Sequence, residues 1–153
     1  MNTLHCQPTG FISWNYEISG DNCPGASLVF STFREQAVIQ CPDSFEVRKD
    51  SLLRGQWSLV QNGQTLASAE KPNPFTRRCT ITSARVNFEI AGANPLLRAF
   101  EILMNDRPIG MISPAHPFTR RASIECDPVI PVVLQIFAFT LAVFAWRRAA
   151  RRN

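Results

Sequence analysis

The chain has 153 residues, 45% hydrophobic and 18% charged, with sixteen Lys+Arg against twelve Asp+Glu for a formal net charge of +4. That composition describes one ordinary folded domain and excludes a disordered chain. Four of the cations, Arg147, Arg148, Arg151 and Arg152, follow every acid in the sequence, so residues 1–146 sum to zero and the basicity reads as a C-terminal tag. Without a helical basic stripe or a zinc spacing, that distribution points away from a nucleic-acid binder.

The first ten residues, MNTLHCQPTG, contain no basic n-region and no apolar h-region, which predicts a chain facing the cytosol. Cysteine usage agrees. Cys6, Cys23, Cys41, Cys79 and Cys126 are odd in number and widely spaced, with no Cys-x-x-Cys pair, so reduced and mostly buried thiols are expected rather than a disulfide framework or a structural zinc site.

From about residue 10 to 126, short runs rich in β-branched and aromatic residues recur about every ten positions between Gly, Pro, Asn and Asp, the pattern of an antiparallel all-β domain. In chain order the expected strands are 11–18, 27–33, 36–40, 44–48, 56–61, 64–70, 75–82, 85–90, 96–104, 107–113 and 118–126. Asn62-Gly63 and Asn105-Asp106 join two of the pairs as hairpins, because Asn followed by Gly tolerates the positive φ of a two-residue turn.

Those hairpins belong to a repeat. Residues 73–81 read NPFTRRCTI and residues 116–124 read HPFTRRASI, an offset of 43 that also sets Trp57 on Phe100 and Asn62 on Asn105. Two superposable three-stranded meanders are therefore expected, too few for a propeller or solenoid, and a sheet closed on itself covers them better. Within the repeated strand the period of two puts Phe75, Arg77, Cys79 and Ile81 on one face, with Phe118, Arg120, Ala122 and Ile124 matching them in the second copy. These form the expected core face, whereas Arg78 and Arg121 point to water, either as solvated charges that discourage edge pairing or as an anion and lipid-headgroup site.

Residues 129–146, VIPVVLQIFAFTLAVFAW, contain Gln135 and Thr140 as their polar members and precede RRAARRN. A helix over about 129–149 is expected, with Pro131 in its first turn, Asp127 near its positive end and the arginines near its negative end. Eighteen residues at ~1.5 Å rise reach ~27 Å, enough to span a hydrocarbon core. The positive-inside rule opposes either orientation of such a span, because arginines held in the cytosol would force some 128 preceding residues across, and a tail anchor would translocate the arginines themselves. An all-round apolar helix also suits the interior of a barrel of eleven or twelve strands, which would be wide and unfilled without it. Buried in protein, Gln135→Leu should cost roughly 1 to 3 kcal/mol.

The Asn62-Gly63-Gln64 and Asn105-Asp106-Arg107 hairpins, the Phe-Thr-Arg-Arg strands and the terminal Pro131-to-Arg148 helix together resemble the Tubby-like superfamily, which includes the phospholipid scramblases. The resemblance covers most of the chain from about Gly10. It implies one domain over 1–153, a closed antiparallel barrel of about twelve strands around a buried hydrophobic α-helix. It implies a non-catalytic protein, cytoplasmic or peripheral to a membrane, that binds an anionic lipid headgroup or a protein partner. The Pro-rich extension, palmitoylated cysteine cluster and acidic calcium-binding segment of scramblases have no counterpart here. Arg78 and Arg121 are the candidates for the headgroup, and Arg147, Arg148, Arg151 and Arg152 for contact with a membrane surface. The alternative is an integral membrane protein whose β domain stays in the cytosol on one C-terminal transmembrane helix.

Catalysis finds little support. His5 lies near the terminus and His116 in a proline-flanked loop, and the sequence has no nucleophile elbow, no Gly-rich phosphate loop and no His/Glu metal spacing, so no cofactor, metal or small-molecule substrate is expected.

Overall fold

A computed structural model describes residues 1–50, 55–73, 76–94 and 98–152. The strands are β1 (Asn2–Pro8), β2 (Tyr16–Gly20), β3 (Cys23–Phe30), β4 (Ala37–Cys41), β5 (Asp43–Lys49), β6 (Gln56–Gln61), β7 (Gln64–Glu70), β8 (Arg78–Ser83), β9 (Asn87–Asn94), β10 (Ala99–Met104), β11 (Arg107–Pro114) and β12 (Ala122–Cys126), followed by helix α1 (Val132–Arg151). Each strand pairs antiparallel with its sequence neighbours, and β1 pairs with β12 to close a twelve-stranded barrel. Closure leaves no sheet edge to recruit another chain.

Alternating strand direction sorts the connections. Those after even strands meet at one end, the base, and are tight: Asn62 and Gly63 have φ of 51° and 79°, Asn105 and Asp106 of 52° and 63°. Positive φ at both central residues is the two-residue hairpin geometry expected from their sequences. The connections after odd strands meet at the other end, the mouth, and are longer.

α1 starts at the base and runs up the barrel axis to the mouth, with 72% of its most apolar eighteen-residue stretch buried. Leu134, Ile136, Phe137, Phe139, Val143 and Phe144 meet the inward side chains of the wall, among them Leu4, Tyr16, Ile39, Leu59, Ile81, Ile102 and Ile124. The two polar residues are accommodated inside: Thr140 Oγ1 donates to Ile136 O at 2.8 Å, and Gln135 Nε2 to Ile130 O at 2.8 Å. Asp127 does not join the helix. Its Oδ1 accepts from the Val129 N–H at 2.9 Å, shaping the turn out of β12.

Several sequence expectations are corrected. β1 is a twelfth strand ahead of the expected eleven. The 11–18 strand starts at Tyr16, the 27–33 strand ends at Phe30 and the 118–126 strand starts at Ala122. Phe118, expected in the core, projects from a mouth loop into water, while Phe75, Leu96 and Leu97 lie outside the described residues.

The internal repeat is threefold rather than twofold. Cross-strand pairs Tyr16 with Leu28, Trp57 with Ala69, and Phe100 with Ile112 occupy equivalent places, as do Ile39 with Phe45, Ile81 with Phe88, and Ile124 with Leu4. Each copy carries a register shift at the same point, after Ile18, Leu59 and Ile102. The barrel is thus three four-stranded modules, β1–β4, β5–β8 and β9–β12. Residues 33–39, FREQAVI, are the remaining counterpart of FTRRCTI and FTRRASI, which makes Glu35, Arg77 and Arg120 structurally equivalent.

Candidate functional site

The mouth concentrates charge that the linear sequence disperses. Among the described residues, Arg34, Lys49, Lys71, Arg77, Arg78, Arg98, Arg120 and Arg121 stand on its strand ends and loops, and Arg147, Arg148, Arg151 and Arg152 on the emerging helix. Twelve of the fifteen described cations therefore share one end with Glu35, Asp50 and Glu70, and the reading of a C-terminal basic tag gives way to a basic barrel end. Asp21, Asp43, Asp106 and Asp127 sit at the base.

Apolar side chains stand among these cations. Phe11 is 100% exposed, Ile12 94%, Phe33 89% and Phe118 93%, all on mouth loops. Phe11 and Phe118 flank one groove together with Arg120 and Arg121. Large apolar groups held in water at one end of a molecule are uncommon unless something covers them.

Many of the cations are committed to structure. Arg147 is buried, donates to Ser31 O and Thr32 O at 3.0 and 3.2 Å, and lies over the Phe30 ring; burial, then Arg151, lowers its pKa. Arg148 pairs with Glu35, which Lys49 also approaches at 3.5 Å. Arg98 donates to Pro117 O and Thr119 O at 3.0 and 3.2 Å, while its own carbonyl accepts from Trp146 Nε1 at 2.8 Å. Arg120 donates to Gly10 O, Phe11 O and Ser13 O, fastening the loop that carries Phe11. These bonds hold the loops to the helix end and make the rim a built surface.

The sequence-predicted residues divide accordingly. Arg78 and Arg121 are both exposed at the mouth, but four strands apart, lining separate pockets; Arg78 Nη1 lies 3.0 Å from Glu89 Oε2. Arg151 and Arg152 are exposed, whereas Arg147 and Arg148 pack into the mouth. The exposed Phe11, Ile12, Phe33 and Phe118 were not expected at a site, since apolar residues beside strands read as strand.

A narrow cleft opens at the mouth between α1 and the wall of β6–β10, with Lys71, Arg77, Arg78 and Arg148 at its rim. Cys79 lies within it, and burial pushes its thiol up to about 12, so it stays protonated at neutral pH and is no nucleophile. His116 Nδ1 accepts from the Phe118 N–H at 3.1 Å and serves the loop. Among the described residues, no three His, Cys, Asp or Glu side chains converge as a metal site. Compared with protein-family models, curated proteins and solved structures, the chain matches none.

Proposed function

We propose that the protein is a non-catalytic barrel of Tubby and scramblase-like type that attaches peripherally to an anionic membrane surface by its mouth. The observation that carries this reading is the gathering, at one end, of four water-exposed apolar side chains and twelve of the fifteen described cations. The two features reinforce one another. Each apolar side chain taken into the interfacial region contributes up to about 1.5–3 kcal/mol, and each cation near an anionic surface about 1 kcal/mol. The placement of α1 inside the barrel supports surface attachment over a transmembrane anchor, because the apolar residues that would meet lipid already meet the wall. In this reading Arg78 and Arg121 are parts of a distributed rim, joined by Arg151 and Arg152 at the helix end.

Flotation with phosphatidylcholine vesicles, with and without phosphatidylserine, tests the proposal. Binding should require the anionic lipid and weaken with salt, since exposed charges are screened beyond about 8 Å at physiological ionic strength. Phe11→Ser with Phe118→Ser should reduce binding at every salt concentration, and Arg78→Ala with Arg121→Ala chiefly at low salt. Arg151→Ala with Arg152→Ala measures the tail alone. If the tail variant abolishes binding while the others do nothing, the helix end alone carries attachment and the rim of loops is not the docking surface.

A further inference from the structure

The threefold repeat offers three versions of one rim position, and they differ in how the position is filled. In the first module Glu35 is neutralised by Arg148 and by Lys49 at the end of β5. In the third, Arg120 sits beside Pro8 and is taken up by the carbonyls of Gly10, Phe11 and Ser13. In the second, Arg77 lies over the Phe100 ring at 5.5 Å, and its neighbour is Gly92, whose N–H donates to Arg77 O at 3.1 Å. A Cβ at position 92 would stand 2.7 Å from the guanidinium carbon, so glycine is what allows Arg77 to lie there. Among the described residues, nothing accepts a hydrogen bond from the Arg77 guanidinium and no carboxylate pairs with it.

Arg77 stands at the pocket between α1 and the wall, together with Lys71, whose ammonium likewise has no carboxylate partner among the described residues. Burial foremost, and then the neighbouring Arg148, lowers the Lys71 pKa. Beneath the cations the lining is mainly apolar, with Ile90 and Phe100 from the wall facing Leu141 and Ala145 from the helix. Trp57 also lines it, and its buried indole N–H has no acceptor among the described residues. Unspent donors above an apolar cleft suit a ligand with a charged head and a greasy body.

We infer that this pocket binds an anionic amphiphile, a phosphate or carboxylate group joined to a short apolar chain. Arg77 and Lys71 take the anion, and the cleft between Phe100 and Leu141 takes the chain. The site does not depend on docking of the mouth to a bilayer, and its ligand could be delivered from solution or from a lipid headgroup.

Calorimetric titration with hexyl phosphate, inorganic phosphate and hexanol tests it on the full chain. The expected result is one site per chain for hexyl phosphate, at least tenfold tighter than for inorganic phosphate or hexanol. Arg77→Gln should weaken it at least tenfold at an unchanged Tm. Gly92→Ala should do the same with every charge retained, by pushing the guanidinium aside. Absence of hexyl phosphate binding, equal affinity for inorganic phosphate, or indifference to both substitutions would overturn the inference, whatever the vesicle results. Competition with phosphatidylserine vesicles separates the sources: displacement of hexyl phosphate supports a lipid headgroup in the site, and undisturbed binding supports a soluble ligand.

Discussion

Phe139→Ala probes the packing of α1 against the wall at a fully enclosed position. Phe139 is fully buried, with its ring edge-on to Tyr16 at 4.9 Å between centroids and to Trp146 at 5.9 Å. Tyr16 is itself fixed by donating to Arg120 O at 2.8 Å, so the site cannot collapse easily around a lost ring. Buried Phe→Ala changes cost about 3–5 kcal/mol, and each aromatic pair adds about 0.5–1.5 kcal/mol, so a loss of roughly 4 kcal/mol or more is expected. Against a total stability of about 5–15 kcal/mol and a urea slope near ~2 kcal/mol/M, the midpoint should fall by about 2 M with the slope unchanged. Urea unfolding followed by circular dichroism reads this directly. Phe118→Ala, which removes an exposed ring, is the control and should stay within about 0.5 kcal/mol of the parent. A Phe139→Ala midpoint shift no larger than that of the control would refute the packing argument.

Three further outcomes are expected. Truncation after Asp127 removes Leu134, Ile136, Phe137, Phe139, Leu141, Val143 and Phe144 from the interior, and at about 1.5–3 kcal/mol each the loss matches the whole stability of a domain, so fragment 1–127 should show no cooperative melt by calorimetry. Gln135→Leu should change stability by less than about 1 kcal/mol, below the roughly 1 to 3 kcal/mol expected from the sequence, because it removes the bond to Ile130 O and also a buried Oε1 that has no partner among the described residues; a urea-melt loss above 2 kcal/mol would show that Oε1 is satisfied. Burial raises the Cys79 and Cys126 thiols from 9.0 to about 12, so their contribution is intact below pH 9 and is lost as pH climbs toward 12, by at most about 1.4 kcal/mol per pH unit for each thiol. Cys79→Ala, which installs the residue found at the equivalent Ala37 and Ala122, should flatten that alkaline slope in melts at pH 8, 9.5 and 10.5, and an unchanged slope would contradict the assignment.

The features that the sequence displayed were those set by local chemistry. Asn62-Gly63 demanded a left-handed turn wherever the chain went, and a run over 129–146 with only Gln135 and Thr140 polar could form nothing but a buried or membrane helix. The twin FTRR segments were visible because they are nearly identical. FREQAVI was not, because it shares with them Phe33 and Ile39 and little else, and its equivalence rests on strand register. β1 carries a weak sequence signal because Leu4 and Cys6 are its two fully buried residues, too short an alternation to stand out beside a terminus. Phe11, Phe33 and Phe118 read as strand residues because a period of two cannot distinguish an aromatic that enters the core from one that stops at the rim. The basic mouth was hidden for a topological reason. In an up-and-down barrel every second connection arrives at the same end, so cations dozens of residues apart become neighbours while the sum along the chain stays near zero.

Nitroxide labels read the orientation of the barrel on a vesicle directly. They would be placed at Phe33→Cys and Phe118→Cys on the mouth and at Arg107→Cys on the base, in a Cys41→Ser background that removes the half-buried thiol. On phosphatidylserine vesicles, docking by the mouth predicts that the labels at 33 and 118 lose access to a water-soluble nickel chelate and gain access to oxygen, while the label at 107 keeps its aqueous values. A bound protein in which 107 is the immersed position, or in which 33 and 118 remain in water, would contradict the account.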